Sequence, residues 1–288
     1  PKRPFGSTGE DVSLLTFGGG SQFLANPDGV WEPMLERALE AGVTLFDTAP
    51  NYVSAESTLT SQERFGKILP PHRDRILISS KFEARDAQGA LRQLDESLAA
   101  LKTDHLDVWF FHAVTDQDDL DAFEAGPYKE MARLKDEGVI RFMGFSSMDS
   151  AEKSRQILER LDMDVALLAL NATRHGAFVE HALPAAAERG VAVMAMKVVR
   201  DLVGPDASPK ELLHYAWGLD GVSTALIGHA GMDVFEQNLE LAATYRDGEM
   251  DEARASDLER RMARYRGPHA LCWARPDYVD GDPGYRIT

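Results

Sequence analysis

Four side chains able to move or steer protons stand at or near the ends of three short apolar runs. The run Thr44 to Thr48 ends in Phe46-Asp47-Thr48, and Tyr52 lies five positions after Asp47. The run Ile76 to Lys81 ends in Ser79-Ser80-Lys81, and His105 to His112 ends in Phe110-Phe111-His112. Taken singly, each has an ordinary reading: the aspartate caps a turn, the lysine is solvated, the histidine is structural. Taken together they do not, because an apolar strand gains nothing by delivering a cation and an imidazole to one rim. A tyrosine hydroxyl has an ordinary pKa near 10 and is a poor acid–base group near neutrality. A neighbouring ammonium favours the phenolate and is expected to pull that pKa down. Asp47 offers the counter-charge that a buried Lys81 needs. His112 is then expected to hold a carbonyl oxygen or to share a proton relay with Tyr52. Such a set protonates an oxyanion as hydride arrives at carbon, and it needs no metal.

The elements that must position these groups are legible as alternating short apolar and longer amphipathic stretches. Candidate strands are Leu14 to Gly18, Thr44 to Thr48, Ile76 to Lys81, His105 to His112, Val139 to Ser146, Val165 to Asn171, Val191 to Val198 and Val222 to Gly228. The first four predicted helices are Trp31 to Glu40, Glu63 to Leu69, Ala87 to Leu101 and Tyr128 to Glu137. Four more cover Ser150 to Leu161, Ala177 to Glu188, Pro209 to Trp217 and Asp233 to Ala242. Asp149 or Ser150 can cap one helix, Ser208-Pro209 opens another, and Gly138 and Gly190 stop two more. Near-continuous apolar strands such as Ala166 to Leu170 suit parallel strands buried on both faces. Eight β-α units predict an α/β fold of the closed (β/α)8 barrel type, with active groups at the strands' C-terminal ends. A doubly wound sheet is the weaker alternative, since Gly18-Gly19-Gly20 lacks the G-x-G-x-x-G spacing.

One domain is expected over residues 1–288, with residues 3–13 as a hairpin closing the barrel bottom, 14–243 as the barrel and 244–288 as an extension. That extension carries a charged helix, Asp251 to Arg264, and then an aromatic, Pro- and Gly-rich stretch, Tyr265 to Tyr285. It reads as a wall over the barrel top or as a surface or oligomer contact. Trp273 is the tryptophan best placed there to line a pocket. The polar segment Val53 to Arg64 reads as a lid or as a surface loop.

Composition narrows the function classes. The formal net charge is −16, from 47 acidic against 31 basic side chains, which argues against nucleic acid and anionic membranes as partners. One cysteine, Cys272, excludes an intramolecular disulfide and fits a reducing, cytoplasmic setting. No apolar run reaches the length of a membrane span, and Pro1-Lys2-Arg3-Pro4-Phe5 shows no signal-peptide core. His175, His181 and His214 lack metal-ligand spacing, and His269 with Cys272 supplies too few ligands.

The series Asp47-Thr48-Ala49 with Tyr52, Lys81 and His112 resembles the catalytic tetrad of the aldo-keto reductases. The resemblance runs along nearly the whole chain. It begins at Arg3-Pro4-Phe5-Gly6-Ser7-Thr8-Gly9 and continues through Phe17-Gly18-Gly19-Gly20, Phe65-Gly66-Lys67-Ile68-Leu69 and Gly144-Phe145-Ser146-Ser147. It closes with Ile227-Gly228 and Glu236-Gln237-Asn238. It implies a (β/α)8 barrel that binds a nicotinamide cofactor across its C-terminal face and reduces an aldehyde or ketone, or runs the reverse oxidation. Tyr52 is then the general acid/base, tuned by Asp47 and Lys81, and His112 orients the substrate. Ser146 and Ser147 match a Ser-Asn pair that holds the carboxamide, and Asn171 matches a position beside the nicotinamide. Gly228, Gln237 and Asn238 match positions at the adenosine half. Gly18, Gly19, Met196, Lys197, Ile227, His229 and Gly231 complete the expected cofactor contacts.

Several positions depart from the family pattern. Leu167 stands where many members carry a glutamine, and Met194-Ala195-Met196-Lys197 replaces an aromatic-Ser ending, as in a subset of the family. His229-Ala230-Gly231-Met232 lacks the arginine used on a 2′-phosphate, with His229 or Lys197 as partial substitutes. NADP(H) is favoured by the resemblance, and NAD(H) stays open. Two alternatives accompany the reductase reading: a cofactor-binding regulatory subunit with little turnover, and a lyase or isomerase using Lys81 as a Schiff-base nucleophile. Substrate identity and oligomeric state are not encoded in any motif.

Overall fold

The computed structural model describes residues 1–54, 57–278 and 280. Eight parallel strands close into a barrel: β3 (Leu15–Gly18), β4 (Leu45–Asp47), β5 (Leu77–Phe82), β6 (Leu106–Phe111), β7 (Ile140–Ser147), β8 (Val165–Ala169), β9 (Ala192–Met196) and β10 (Val222–Gly228). β10 returns to β3 with Ala225 opposite Leu15 and Gly228 opposite Gly18. The fold is a (β/α)8 barrel.

Before it, β1 (Lys2–Pro4) and β2 (Asp11–Ser13) form an antiparallel hairpin. Its turn carries Phe5, fully buried, into the barrel interior beside Ala192 and Val12. Gly6 makes this plug possible. It has φ +55°, and an added Cβ would lie 2.4 Å from the Ala192 nitrogen, so both conformation and space demand glycine. The Ser7 amide then donates to the Gly190 carbonyl at 2.8 Å, fixing the hairpin under the N-terminal ends of the strands.

Alternate strand residues point inward and fill the barrel as packed layers. Leu45, Leu77, Val108, Phe110, Phe142, Leu167 and Met194 belong to this interior cluster. The opposite strand faces meet the surrounding helices: α1 (Ser21–Leu24), α2 (Trp31–Glu40), α3 (Ser61–Ile68), α4 (Ala87–Leu101), α5 (Leu120–Ala125), α6 (Pro127–Asp136), α7 (Ala151–Arg160), α8 (Phe178–Glu188), α9 (Pro209–Gly218) and α10 (Met232–Thr244). A last helix, α11 (Glu252–Met262), starts the C-terminal extension.

The helix starts follow from their caps. Thr60 and Glu63 form a capping box, so α3 begins at Ser61 and not at Glu63, which the box requires as its third residue. Ser208 and Glu211 form a second box ahead of Pro209. Ser150, not Asp149, caps α7 by accepting from the Lys153 amide. Gly138 and Gly190 follow α6 and α8 with φ of +75° and +67°. The helices α1 and α5 add to the eight expected from the sequence, since four and six residues are too few to show a period. No helix among the described residues is long and apolar enough to cross a membrane.

Candidate active site

The tops of β4, β5 and β6 bring three of the four proton-handling side chains together, and the loop after β4 adds the fourth. Lys81 and Asp47 are each 1% exposed and form an ion pair at 2.5 Å. The lysine also donates to the Thr48 carbonyl at 2.8 Å, and Asp47 accepts from Ser79 Oγ at 2.6 Å. A buried pair is sustained in this way when further hydrogen bonds satisfy the remaining polar positions. Lys81 Nζ lies 4.8 Å from the centre of the Tyr52 ring. Tyr52 is 6% exposed, and the His112 ring meets it edge-on with centroids 6.2 Å apart.

The acceptor at the head of this set comes from the C-terminal extension. Tyr52 OH donates to Asp280 Oδ2 at 3.0 Å, and His112 Nε2 lies 3.3 Å from the same oxygen. The other carboxylate oxygen, Oδ1, accepts from Lys197 Nζ at 2.7 Å and from Tyr278 OH at 2.9 Å. Lys197 and His112 hold the Asp280 carboxyl well below its ordinary range, against the opposing pull of burial. Burial, followed by the charges of Asp280 and Asp47, pushes the Tyr52 phenol well above its ordinary pKa. This corrects the expected depression of Tyr52: the Lys81 charge is matched by Asp47, and the hydroxyl itself faces a carboxylate.

Beside Tyr52 a cleft of about 280 Å³ runs outward between the ends of β3, β9 and β10. Of the positions expected to touch a cofactor, it gathers Gly18, Met196, Lys197, Ile227, Gly228 and Asn238. It also takes in Gly20, from the Gly18-Gly19-Gly20 run, and Ser21, Gln22, Arg200, Val203 and Val234, which sequence reasoning did not single out. Val203 and Val234 are among the few large apolar side chains left exposed, at 53% and 42%. The run Lys197-Val198-Val199-Arg200-Asp201 carried a usable signal, since charged residues directly after a barrel strand sit at the active rim. Lys197 and Asp201 adopt left-handed backbone, with φ of +59° and +65°, which non-glycine residues hold at some cost and which gathers at functional sites.

Other expected positions lie elsewhere. His229 is fully buried between Phe17 and Phe235, at centroid distances of 5.4 and 4.6 Å, and burial lowers its pKa to about 3. It stands behind the cleft wall as a neutral ring, not as a phosphate partner. Gln237 lines a separate groove with Pro1, Ser13 and Arg37. Gly19 is packed on Ser61 and Phe65, and the Gly231 amide donates to Asn26 Oδ1. The Ser146 and Ser147 hydroxyls bond backbone groups of Ala113 and Val114. Asn171 is 1% exposed, and its Nδ2 has no partner among the described residues.

The extension does reach the barrel top, through Tyr278 and Asp280, although Trp273 is 3% exposed and packs in the core against His175. Within the expected aromatic stretch Tyr265 to Tyr285, Val279 and residues 281–285 lie outside the described residues, as do residues 286–288 beyond it. In the segment after Tyr52, Ala55 and Glu56 also lie outside them. The end of that segment is no surface loop: Ser61 bonds Thr48, and buried Arg64 donates to the Phe23 and Asn26 carbonyls. Among the described residues no group of three or more histidine, cysteine or acidic side chains is placed to hold a metal.

Comparisons with known proteins bear on the family and the fold. The family model described as Aldo/keto reductase family matches residues 15–201, a span that contains Asp47, Tyr52, Lys81 and His112. D-threo-aldose 1-dehydrogenase from a Pseudomonas species is 27% identical over 232 residues, covering 69% of this chain and 68% of that protein. Methylglyoxal reductase DkgA of Yersinia pestis is 25% identical, covering 67% and 73%. A solved putative aldo-keto reductase from Pseudomonas aeruginosa superposes with a TM-score of 0.70 at 27% identity, covering 84% of this chain and 94% of that one. A Bacillus halodurans aldo-keto reductase, in its holo form, shares the fold with a TM-score of 0.73 at 21% identity, covering 89% and 95%. With the barrel, the buried Asp47–Lys81 pair and the family match over most of its length, the chain belongs to the aldo-keto reductase family.

Proposed function

We propose that this oxidoreductase is a nicotinamide-dependent carbonyl reductase in which Tyr52 delivers the proton. One observation carries the reading: Tyr52 OH and His112 Nε2 converge on a single oxygen atom, with the Asp47–Lys81 pair buried behind the phenol ring. Two donors aimed at one oxygen are what a carbonyl needs as charge develops on it.

The chain's own residues fit the cofactor class. Glycines at 18, 20 and 228 line the cleft beside the phenol, and a Cβ on Gly18 would lie 2.9 Å from the Ile227 carbonyl oxygen. The unpartnered Asn171 Nδ2 suits a carboxamide oxygen. Lys197 and Arg200 are the cations lining the cleft among the described residues, and they would face a diphosphate. A bound nicotinamide supplies hydride to the carbonyl carbon. Tyr52 donates its proton to the carbonyl oxygen while His112 holds that oxygen in place. Asp47 and Lys81 keep the phenol ring seated and supply charge beneath it. His229 is withdrawn from any 2′-phosphate by its burial, which leaves Arg200, and Lys197 where it is not paired with Asp280, to meet the phosphates. Titration with NADPH and NADH in parallel measures how far that reaches.

Methylglyoxal and aldoses, which the named relatives act on, are the first carbonyl and alcohol substrates to assay. Tyr52→Phe should lower turnover by about 10²–10⁴-fold while cofactor binding, read by tryptophan fluorescence quenching, stays intact. Retained turnover in that variant would remove Tyr52 from its role. Tight cofactor binding without turnover on any carbonyl would favour the regulatory-subunit reading.

A further inference from the structure

The position that a substrate oxygen must take is filled by the chain itself. Resting on the reductase reading above, we propose that Asp280 is a built-in competitor for the carbonyl site, a tail residue that every substrate must displace before Tyr52 can act on it. Its Oδ2 accepts from Tyr52 OH at 3.0 Å and lies 3.3 Å from His112 Nε2, the two donors assigned to the carbonyl oxygen. A carbonyl oxygen and Oδ2 cannot share one position.

The carboxylate is held there by more than those two donors. Lys197 Nζ and Tyr278 OH bond Oδ1 at 2.7 and 2.9 Å, and Asp280 is 15% exposed. Lys197 is itself 9% exposed, so a neutral substrate that removes Asp280 leaves a largely buried ammonium without this counter-charge. Asp280 therefore sets which ligands enter: carboxylates that repeat its contacts replace it at lower cost than neutral carbonyls. It has a second effect on Tyr52. A negative charge at the hydroxyl disfavours the phenolate, so the seated Asp280 carboxylate both occupies the place beside the proton donor and holds its proton more tightly. The charged or titratable groups facing this point are Asp47 on β4, Lys81 on β5, His112 after β6, Lys197 and Arg200 after β9, and Tyr278 on the extension, to which Arg200 also donates. Glu83 stands 3.7 Å from His112 Nδ1.

A competitor seated nine-tenths of the time weakens apparent substrate affinity about tenfold. The test compares wild type, Asp280→Ala and Asp280→Asn in steady-state reduction of methylglyoxal, with acetate as a probe anion. The proposal expects KM to fall about tenfold in Asp280→Ala, with kcat little changed and acetate inhibiting competitively at lower concentration than in wild type. The neutral asparagine should fall between the two. An unchanged KM in both variants, or a kcat loss like that of Tyr52→Phe, overturns it. A second measurement needs no turnover. Ultraviolet difference titration, with Tyr52→Phe in each background as the reference, reads the Tyr52 phenol alone. Asp280→Ala should bring its ionisation to lower pH, and an unmoved titration counts against the contact. If no form reduces any carbonyl, the reductase reading fails while this titration still judges the seat of Asp280.

Discussion

The Lys81 ammonium lies 4.8 Å from the centre of the Tyr52 ring while its closest acceptors are Asp47 Oδ2 and the Thr48 carbonyl. The lysine thus reaches the phenol through the ring and not through the oxygen. Its charge is largely answered by Asp47 at 2.5 Å, so at the hydroxyl the balance passes to burial and to Asp280. That arrangement keeps Tyr52 protonated and ready to donate, and it makes the phenol's acidity depend on what occupies the position of Asp280 Oδ2. In the proposed reaction a carbonyl oxygen there, becoming negative as hydride arrives, would accept the proton that a carboxylate only hydrogen-bonds.

Lys81→Met should separate stability from chemistry in this pair. Removing the cation leaves Asp47 1% exposed, with Ser79 Oγ as its other side-chain partner. Breaking one half of a buried pair costs about 3–5 kcal/mol. Urea denaturation should show a loss of that order, and a double variant with Asp47→Asn should recover part of it because no charge is left stranded. Turnover should fall in both, through kcat. A Lys81→Met protein as stable as wild type would mean that water reaches Asp47.

Gly66 explains one stretch of the family pattern in packing terms. In α3 it faces α4, and an added Cβ would lie 2.1 Å from the Ala100 carbonyl oxygen. The obstacle is backbone, so α3 itself would have to shift, and with it Ser61, which bonds Thr48 just after Asp47. Gly66→Ala should destabilise the fold by about 1–3 kcal/mol, measured as a lower thermal midpoint. Tyr52→Phe, by contrast, should leave that midpoint nearly in place. A Gly66→Ala protein with unchanged stability would show that the α3–α4 contact is looser than this distance.

The barrel was legible because its strands are short, largely apolar runs and several of the helices between them carry a cap (Ser150, Ser208) or are followed by a glycine (Gly138, Gly190). That Tyr52, Asp47, Lys81 and His112 would be brought together was legible because polar groups at the ends of such runs have no structural reason to recur. The cofactor positions were less so. His229 and Gln237 follow a strand or sit on a helix, and whether such a side chain faces the cleft depends on helix rotation. Phe17 and Phe235 enclose His229, and Gln237 faces the groove that Arg37 shares. No local pattern records that. Asp280 was not legible at all: its partners lie 83 to 229 positions away along the chain, apart from Tyr278, and its segment has no periodicity to align it with the barrel.

The buried His229 also predicts how the protein responds to acid. Its folded pKa is about 3, against about 6.5 in an unfolded chain. Between those two values the unfolded state binds the extra proton and the folded state does not, so stability rises with pH across this window. The contribution is complete above about pH 6.5. It is lost as pH falls, at up to about 1.4 kcal/mol per pH unit, and levels off near pH 3. Burial depresses His175 and His214 in the same direction, so the total slope does not isolate His229. A His229→Leu variant does, because leucine fills the space between Phe17 and Phe235 without titrating. Denaturant unfolding at a series of pH values should show the two proteins diverging above pH 3 and running parallel above about pH 6.5. Curves parallel throughout would mean that the imidazole gains its proton in the folded barrel, and that the wall behind the cleft opens to water.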